Sequence, residues 1–331
     1  MKLPIHNTAG LAFLAGIALS APAFAVVSID YVTVGNANNT GQVQSQGTFG
    51  AVAYAYQIGR NEVTISQYAE FLNNAAQTDT NGLWNSNMGS NANIAGITRD
   101  GSDGSYTYSV TGSGLRPITY VSWYDAARFT NWMHNGQGSG STETGAYTLT
   151  GNTGLIIKNV GATVWLPSES EWYKAAYYDP NKDGPGVGGY WAQATQSDTV
   201  AGNTIGVANS ANYFDGDFAV TQSGSYSASQ NYLTDVGAYG ANSDSAYGTN
   251  DQAGNVWEWN DAVIGSSRGL RGGSWNGNSG ILPASFRFGF TPSGESPSVG
   301  FRVASVPEPS ALLLVSIAAG VLLTRRRRCS L

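Results

Sequence analysis

Apolar residues recur at helical spacing in three places along the chain. Thr64-Ile-Ser-Gln67 opens ISQYAEFLNNAA, Ser122-Trp-Tyr-Asp125 opens WYDAARFTNWM, and Ser168-Glu-Ser-Glu171 opens ESEWYKAAYY directly after Leu166-Pro167. Each start sets a hydroxyl residue three positions ahead of Gln, Asp or Glu, so that cap and third residue can satisfy each other's free backbone amides. In the second segment Tyr124, Ala127, Phe129 and Trp132 share one face. Three helices of about three turns are expected. Short apolar stretches at 51–59 (AVAYAYQIG), 162–167 (ATVWLP) and 300–304 (GFRVA) read as strands. Between these elements run long intervals rich in Gly, Asn, Ser and Thr, at about 79–114, 135–161 and 181–249, and no repeat of solenoid or propeller spacing occurs. The pattern predicts an α+β domain whose loops outweigh its regular elements. Loops of that length are either functional or held down by other interactions.

The two ends do not follow this pattern. Met1-Lys2 is followed by LAFLAGIALSAPAFA, closing on Ala23-Phe24-Ala25, which reads as a secretory signal peptide over residues 1–25. At the other end VPEPS (306–310) precedes the apolar run ALLLVSIAAGVLLT and then Arg325–Arg328. The run has 14 residues, short of the roughly 20 that span a bilayer, but the arginines would hold its far end on the cytoplasmic side. Residues 305–331 resemble the PEP-CTERM sorting signal. That resemblance implies an exosortase-type processing enzyme as a partner, an inner-membrane stage through the C-terminal segment, and export to the periplasm, envelope or extracellular matrix.

Composition narrows the chemistry. Of the 331 residues only 11% are charged, whereas there are nine tryptophans and 43 glycines. Residues 26–324 carry eleven basic against twenty-two acidic residues, a formal charge of −11, so nucleic acid and anionic membrane surfaces are not expected partners. The single cysteine, Cys329, lies beyond the arginine cluster, and His6 falls in the signal, which leaves His134 as the only histidine of residues 26–304. Disulfides, thiolate nucleophiles and histidine-built zinc, copper or iron sites are excluded within that span, and any metal must sit among oxygens.

Six blocks, YQIGRNEVTISQYAEFLN, RPITYVSWYDAARFTNWM, VWLPSESEWYKAA, DQAGNVWEWND, LRGGSWNG and GFRVA, follow one another in the order of the formylglycine-generating enzyme, or sulfatase-modifying-factor, family. The chain resembles that family over residues 26–304, which implies an α+β fold related to the C-type lectin, low in regular structure and loop-rich. The family's enzymes oxidise a sulfatase cysteine with copper and oxygen, using two cysteines after the RGGSW block. Here those positions fall at Gly277 and at Leu282 or Pro283. Neither position can bind Cu(I) or form a mixed disulfide, so no copper and no formylglycine-generating activity are expected. A second branch of the family uses a three-histidine iron site, for which the histidines are missing.

Three readings of Glu258 stay open. The resemblance implies a structural Ca2+ site formed by the carboxylates of Asp251 and Glu258 with the carbonyls of Gly254 and Val256, half of the six to eight oxygens calcium takes. An ion pair with Arg271 or Arg302 is the second, and acid–base work with Asp251 or Asp261 the third. Trp257 and Trp259, on the opposite face of an extended segment from Glu258, are expected to fill core. A second family calcium site would align Asn212-Tyr213, without clear later ligands. Glu169 and Glu171 are explained by helix capping, and His134 by the C-terminal end of a helix. The expectation is an exported, non-catalytic binding or scaffold module with exopolysaccharide or envelope proteins as partners; the alternative is a modifying enzyme working through an unrecognised site.

Overall fold

The computed structural model describes residues 26–151 and 155–307; the stretch expected to be a signal peptide and the expected PEP-CTERM run from Glu308 onward lie outside the described residues. All three expected helices form with their capping boxes. Helix α1 spans Ile65–Ala75 behind Thr64, α3 spans Trp123–His134 behind Ser122, and α4 spans Glu169–Tyr177 behind Ser168. A four-residue helix, α2 (Asn87–Ser90), and the hairpin of Ile97–Asp100 with Thr107–Val110 lie inside the interval read as loop. Their apolar positions are too few and too short to show a period.

Two four-stranded sheets carry the architecture. The first runs in the order Tyr31–Val34, Tyr56–Gly59, Ala304–Ser305, Val164–Trp165, antiparallel throughout. The second runs Phe288–Phe290, Ser267–Arg271, Trp257–Ile264, Val299–Phe301, its last pair parallel. The stretch read as one strand at 300–304 is therefore divided between the sheets, and Arg302 occupies the link. The fold is α+β and loop-rich, as expected. No helix among the described residues is long and apolar enough to cross a membrane.

The main core joins α1, α3 and both sheets through Tyr68, Phe71, Phe129, Trp132, Trp259 and Phe301, all fully buried. Trp259 fills core, its Nε1 donating to the Val121 carbonyl at 3.0 Å and its ring stacked on Phe290. Trp257 is only partly buried, against Phe286 and Phe288. A smaller cluster of Ile94, Phe218, Tyr232, Leu233, Val256 and Trp275 forms under the long 181–249 interval, which is held down by these rings and by side-chain hydrogen bonds.

Candidate functional site

The register sets Glu258 directly between Arg271 on one neighbouring strand and Gly300 on the other. Its carboxylate is fully buried, and Arg302 grips both oxygens, Nε to Oε2 at 2.6 Å and Nη2 to Oε1 at 2.7 Å; Trp172 Nε1 adds a third bond to Oε2 at 2.7 Å. The remaining N–H groups of Arg302 reach the carbonyls of Gly59, Arg60 and Asn250. Arg271, opposite Glu258 in register, turns instead to Glu169, which Arg287 also binds. Of the two expected arginine partners, Arg302 is the one that meets Glu258.

Two further acids belong to the same interior. Asp251, in a left-handed backbone conformation at φ 59°, accepts from the Gly237 amide at 2.6 Å, and burial pushes its carboxyl up to about 6. Glu62 is buried with Oε1 bonded to Asn255 and Oε2 without a partner; burial first, then the Asp251 charge, pushes it well above the carboxylate range and favours its protonated form. Burial alone would lower Arg302, but the charge and hydrogen bonds of Glu258 together with the charges of Glu62 and Asp251 outweigh it. Gly254 lies between these groups at φ 79°, and a Cβ there would stand 2.3 Å from the Asn212 carbonyl, so only glycine closes this turn. Val256 is buried in the smaller aromatic cluster. Asp261 is separate again, paired with Arg268 at 2.9 Å and pushed up to about 7 by burial.

The open site lies one backbone step away. The Trp275 amide donates to the Asn255 carbonyl at 2.9 Å, and the Phe214 amide to the Gly277 carbonyl at 2.8 Å. Above them opens a cavity of about 470 Å3 walled by the rings of Phe214, Phe218, Tyr226 and Trp275, the amides of Asn91, Asn93 and Asn276, and Pro297. Trp275, Tyr232 and Tyr226 form a continuous ring stack with interplanar angles of 3° and 16°. Asn93 is spent internally, donating to the Ser227 and Gln230 carbonyls. Asn276 is exposed, with Oδ1 held by Ser274.

The family assignment rests on the sequence match: residues 27–306 match the sulfatase-modifying factor enzyme 1-like domain. The chain belongs to this family. A search of curated proteins returns no match. Among solved structures, variable protein 1 of Treponema denticola is 21% identical with a TM-score of 0.52, over 86% of this chain and 98% of that one. CarF is 22% identical with a TM-score of 0.50, over 86% of this chain and all of that one. At these identities the likeness concerns the fold.

At the positions that the resemblance sets against the family's two cysteines stand Gly277 and Leu282 or Pro283, none of which carries a thiol. A Cβ at Gly277 would meet Ile281 at 2.0 Å, and Leu282 is fully buried. The residues present do not fit a Cu(I) site. Nor does the implied calcium half-shell fit: both Glu258 oxygens are taken, and a divalent cation there would sit beside a guanidinium. Of the four residues expected as ligands, the carboxyls of Asp251 and Glu258 join different hydrogen bonds of one acidic interior, while Gly254 and Val256, expected through their carbonyls, stand in the tight turn that links it to the smaller cluster.

Sequence reasoning missed Glu62 and Asn255, which with Asn212 knit this interior, and the part of Glu169 that is not capping. Glu171 caps as expected, but Glu169 is the hub for Arg271 and Arg287. His134 ends α3 and meets Thr163 at 2.8 Å. The Asn212-Tyr213 pair is likewise structural, the Asn212 Nδ2 donating to the Tyr232 carbonyl at 2.9 Å.

Proposed function

We propose that this protein is an exported, non-catalytic member of the sulfatase-modifying-factor family that acts as a binding module in the envelope or extracellular matrix, taking a neutral glycan in the Trp275 pocket. The observation that carries the reading is the pocket wall beside Gly277: rings and amides, with no carboxylate, amine, imidazole or thiol among the lining residues. The one acid–base group on this wall, the Tyr226 hydroxyl, is engaged in donating to Asn93 Oδ1. Flat rings pack against the C–H faces of a sugar, and amides both donate to and accept from hydroxyls. With nothing to compensate a charge, the favoured ligand is uncharged. Sorting by an exosortase-type enzyme, with an inner-membrane stage, belongs to the same reading and is supported by the order of elements in residues 305–331.

Titration of the purified chain with neutral and acidic exopolysaccharides, followed by tryptophan fluorescence, tests it. Saturable binding to neutral polymers, weakened by Tyr226→Ala, is expected. Conversion of the cysteine in a Cys-x-Pro-x-Arg peptide to formylglycine with Cu(I) and oxygen would overturn the non-catalytic assignment.

A further inference from the structure

Three apolar side chains stand out from one loop: Leu155 at 61% exposure, Ile157 at 64% and Val160 at 106%. The loop that carries them is braced. The Asn159 amide donates to the Ala146 carbonyl at 2.8 Å, the Asn159 side chain to the Gly145 carbonyl at 2.9 Å, and the Ala162 amide to the Asn159 carbonyl. Outward-facing apolar groups on a tied-down loop are a mark of an interaction surface.

The chain enters and leaves the domain beside this loop. Thr163, just past its end, accepts from the Val306 amide through its carbonyl, while its own amide donates to His134 Nδ1 at the end of α3. Three residues beyond His134, the Gln137 side chain clamps Val27 by two hydrogen bonds of 2.7 and 2.8 Å. Four residues, 307–310, separate Val306 from the apolar run and its four arginines. Fully extended, four residues reach at most about 14 Å. On the reading that the C-terminal run has an inner-membrane stage, the bilayer that receives it comes within reach of the loop that carries Leu155, Ile157 and Val160 and that ends at Thr163, bonded to Val306.

We propose that this loop docks on the lipid bilayer into which the C-terminal segment runs, so that the intact chain holds its domain against the membrane by two contacts rather than swinging on a tether. The occupant is lipid acyl chain and glycerol region, not an anionic headgroup layer, because the acidic domain is repelled by negative charge. Lys158, the one cation within the loop, already rests over the Trp165 ring at 3.9 Å, and its long stem lets the ammonium stay at the polar boundary. The inference is independent of what the Trp275 pocket binds, and concerns the chain while its tail is attached.

The test uses the full chain in vesicles of zwitterionic lipid. With Cys329 replaced by serine, Val160→Cys carries a polarity-sensitive fluorophore, and Val43→Cys, 79% exposed in a different hairpin, carries it in the control. With lipids brominated in the upper acyl chain, the label at 160 is expected to shift blue and lose roughly half its fluorescence, as for a group seated 5–10 Å into the interface, and the label at 43 to stay unchanged. Equal quenching at both positions, or none at 160 in chains that float with the vesicles, overturns the proposal. A blue shift without quenching indicates a protein contact and overturns it too. Chains that fail to float refute both the membrane tail and the docking.

Discussion

The Glu258 interior and the Trp275 pocket touch through the Trp275–Asn255 and Asn212–Tyr232 hydrogen bonds, yet they divide the molecule's chemistry between them. The first holds three carboxyls and a guanidinium with no route to solvent for Glu258 or Arg302; the second is open and lined by no charged side chain. A catalytic site needs reactive groups and access in one place. Here they are apart, which is why the interior reads as a support and the pocket as a receptor. The bond from Trp275 to Asn255 makes the charged network the platform on which the pocket wall stands.

Removing the guanidinium breaks the comparison most severely. Arg302→Leu leaves Glu258 buried without its guanidinium and removes the bonds from Arg302 to the carbonyls of Gly59, Arg60 and Asn250. A loss of about 3–5 kcal/mol is expected, read as a lower urea midpoint. A loss below about 1 kcal/mol would mean that the network is not what holds the interior together.

Acid-dependent stability is the next largest effect. Burial raises Asp251 to about 6, and Asp125 and Asp261 to about 7, from an ordinary value of 3.8. Between the unfolded and folded values each carboxyl binds more protons folded than unfolded. The stability each contributes is therefore full below about pH 4, is lost as the pH climbs to about 7, and is flat above. Each unit is worth about 1.4 kcal/mol. The melting temperature should fall from pH 5 to pH 8, and Asp251→Asn should reduce that slope; a rise over the same range would reverse the assignment of these groups as buried acids.

The legibility of these two regions in the sequence differs for a physical reason. Helix starts are local: Thr64, Ser122 and Ser168 announce themselves by a partner three residues away. The order of the six blocks gave the fold for a related reason, since each block is a continuous stretch. The ionic partners are not local. Glu258 meets Arg302 across 44 residues, and Glu169 meets Arg271 across 102; strand register alone would pair Glu258 with Arg271, and it is the placing of Arg302 on the link between the sheets and of Glu169 on α4 that decides otherwise. Asn255 was nearest to being readable, because a Gly-Asn pair in a turn signals a left-handed backbone, and Asn255 indeed has φ 56°. The pocket was least readable, assembled from residues between 91 and 297 in segments without periodicity.

Inside the pocket the comparison can be sharpened without disturbing the platform. Asn276 faces solvent, so Asn276→Ala should leave stability within about 0.5 kcal/mol of the parent, whereas Tyr226→Ala, which removes a ring stacked on Tyr232 and a bond to Asn93, should cost about 1 kcal/mol. Each should weaken glycan binding by about 0.5–1.5 kcal/mol, roughly two- to tenfold, in a fluorescence titration. Unchanged binding in both variants would place the ligand elsewhere.

The smallest expected effect is that of chelation, and it separates the interior from a metal site. A cation bound to the folded state at a hundred times its Kd would add about 2.7 kcal/mol of stability, which EDTA would remove. The Glu258 oxygens already accept three hydrogen bonds, and Arg302 occupies the space a cation would need. EDTA should therefore leave the melting temperature unchanged, with or without calcium added back. A fall on chelation that calcium reverses would require Arg302 to leave Glu258. The same measurement on Arg302→Leu would then show whether guanidinium and calcium compete for one carboxylate: competition predicts a larger calcium response in the variant than in the parent, whereas a structural ion pair predicts none in either.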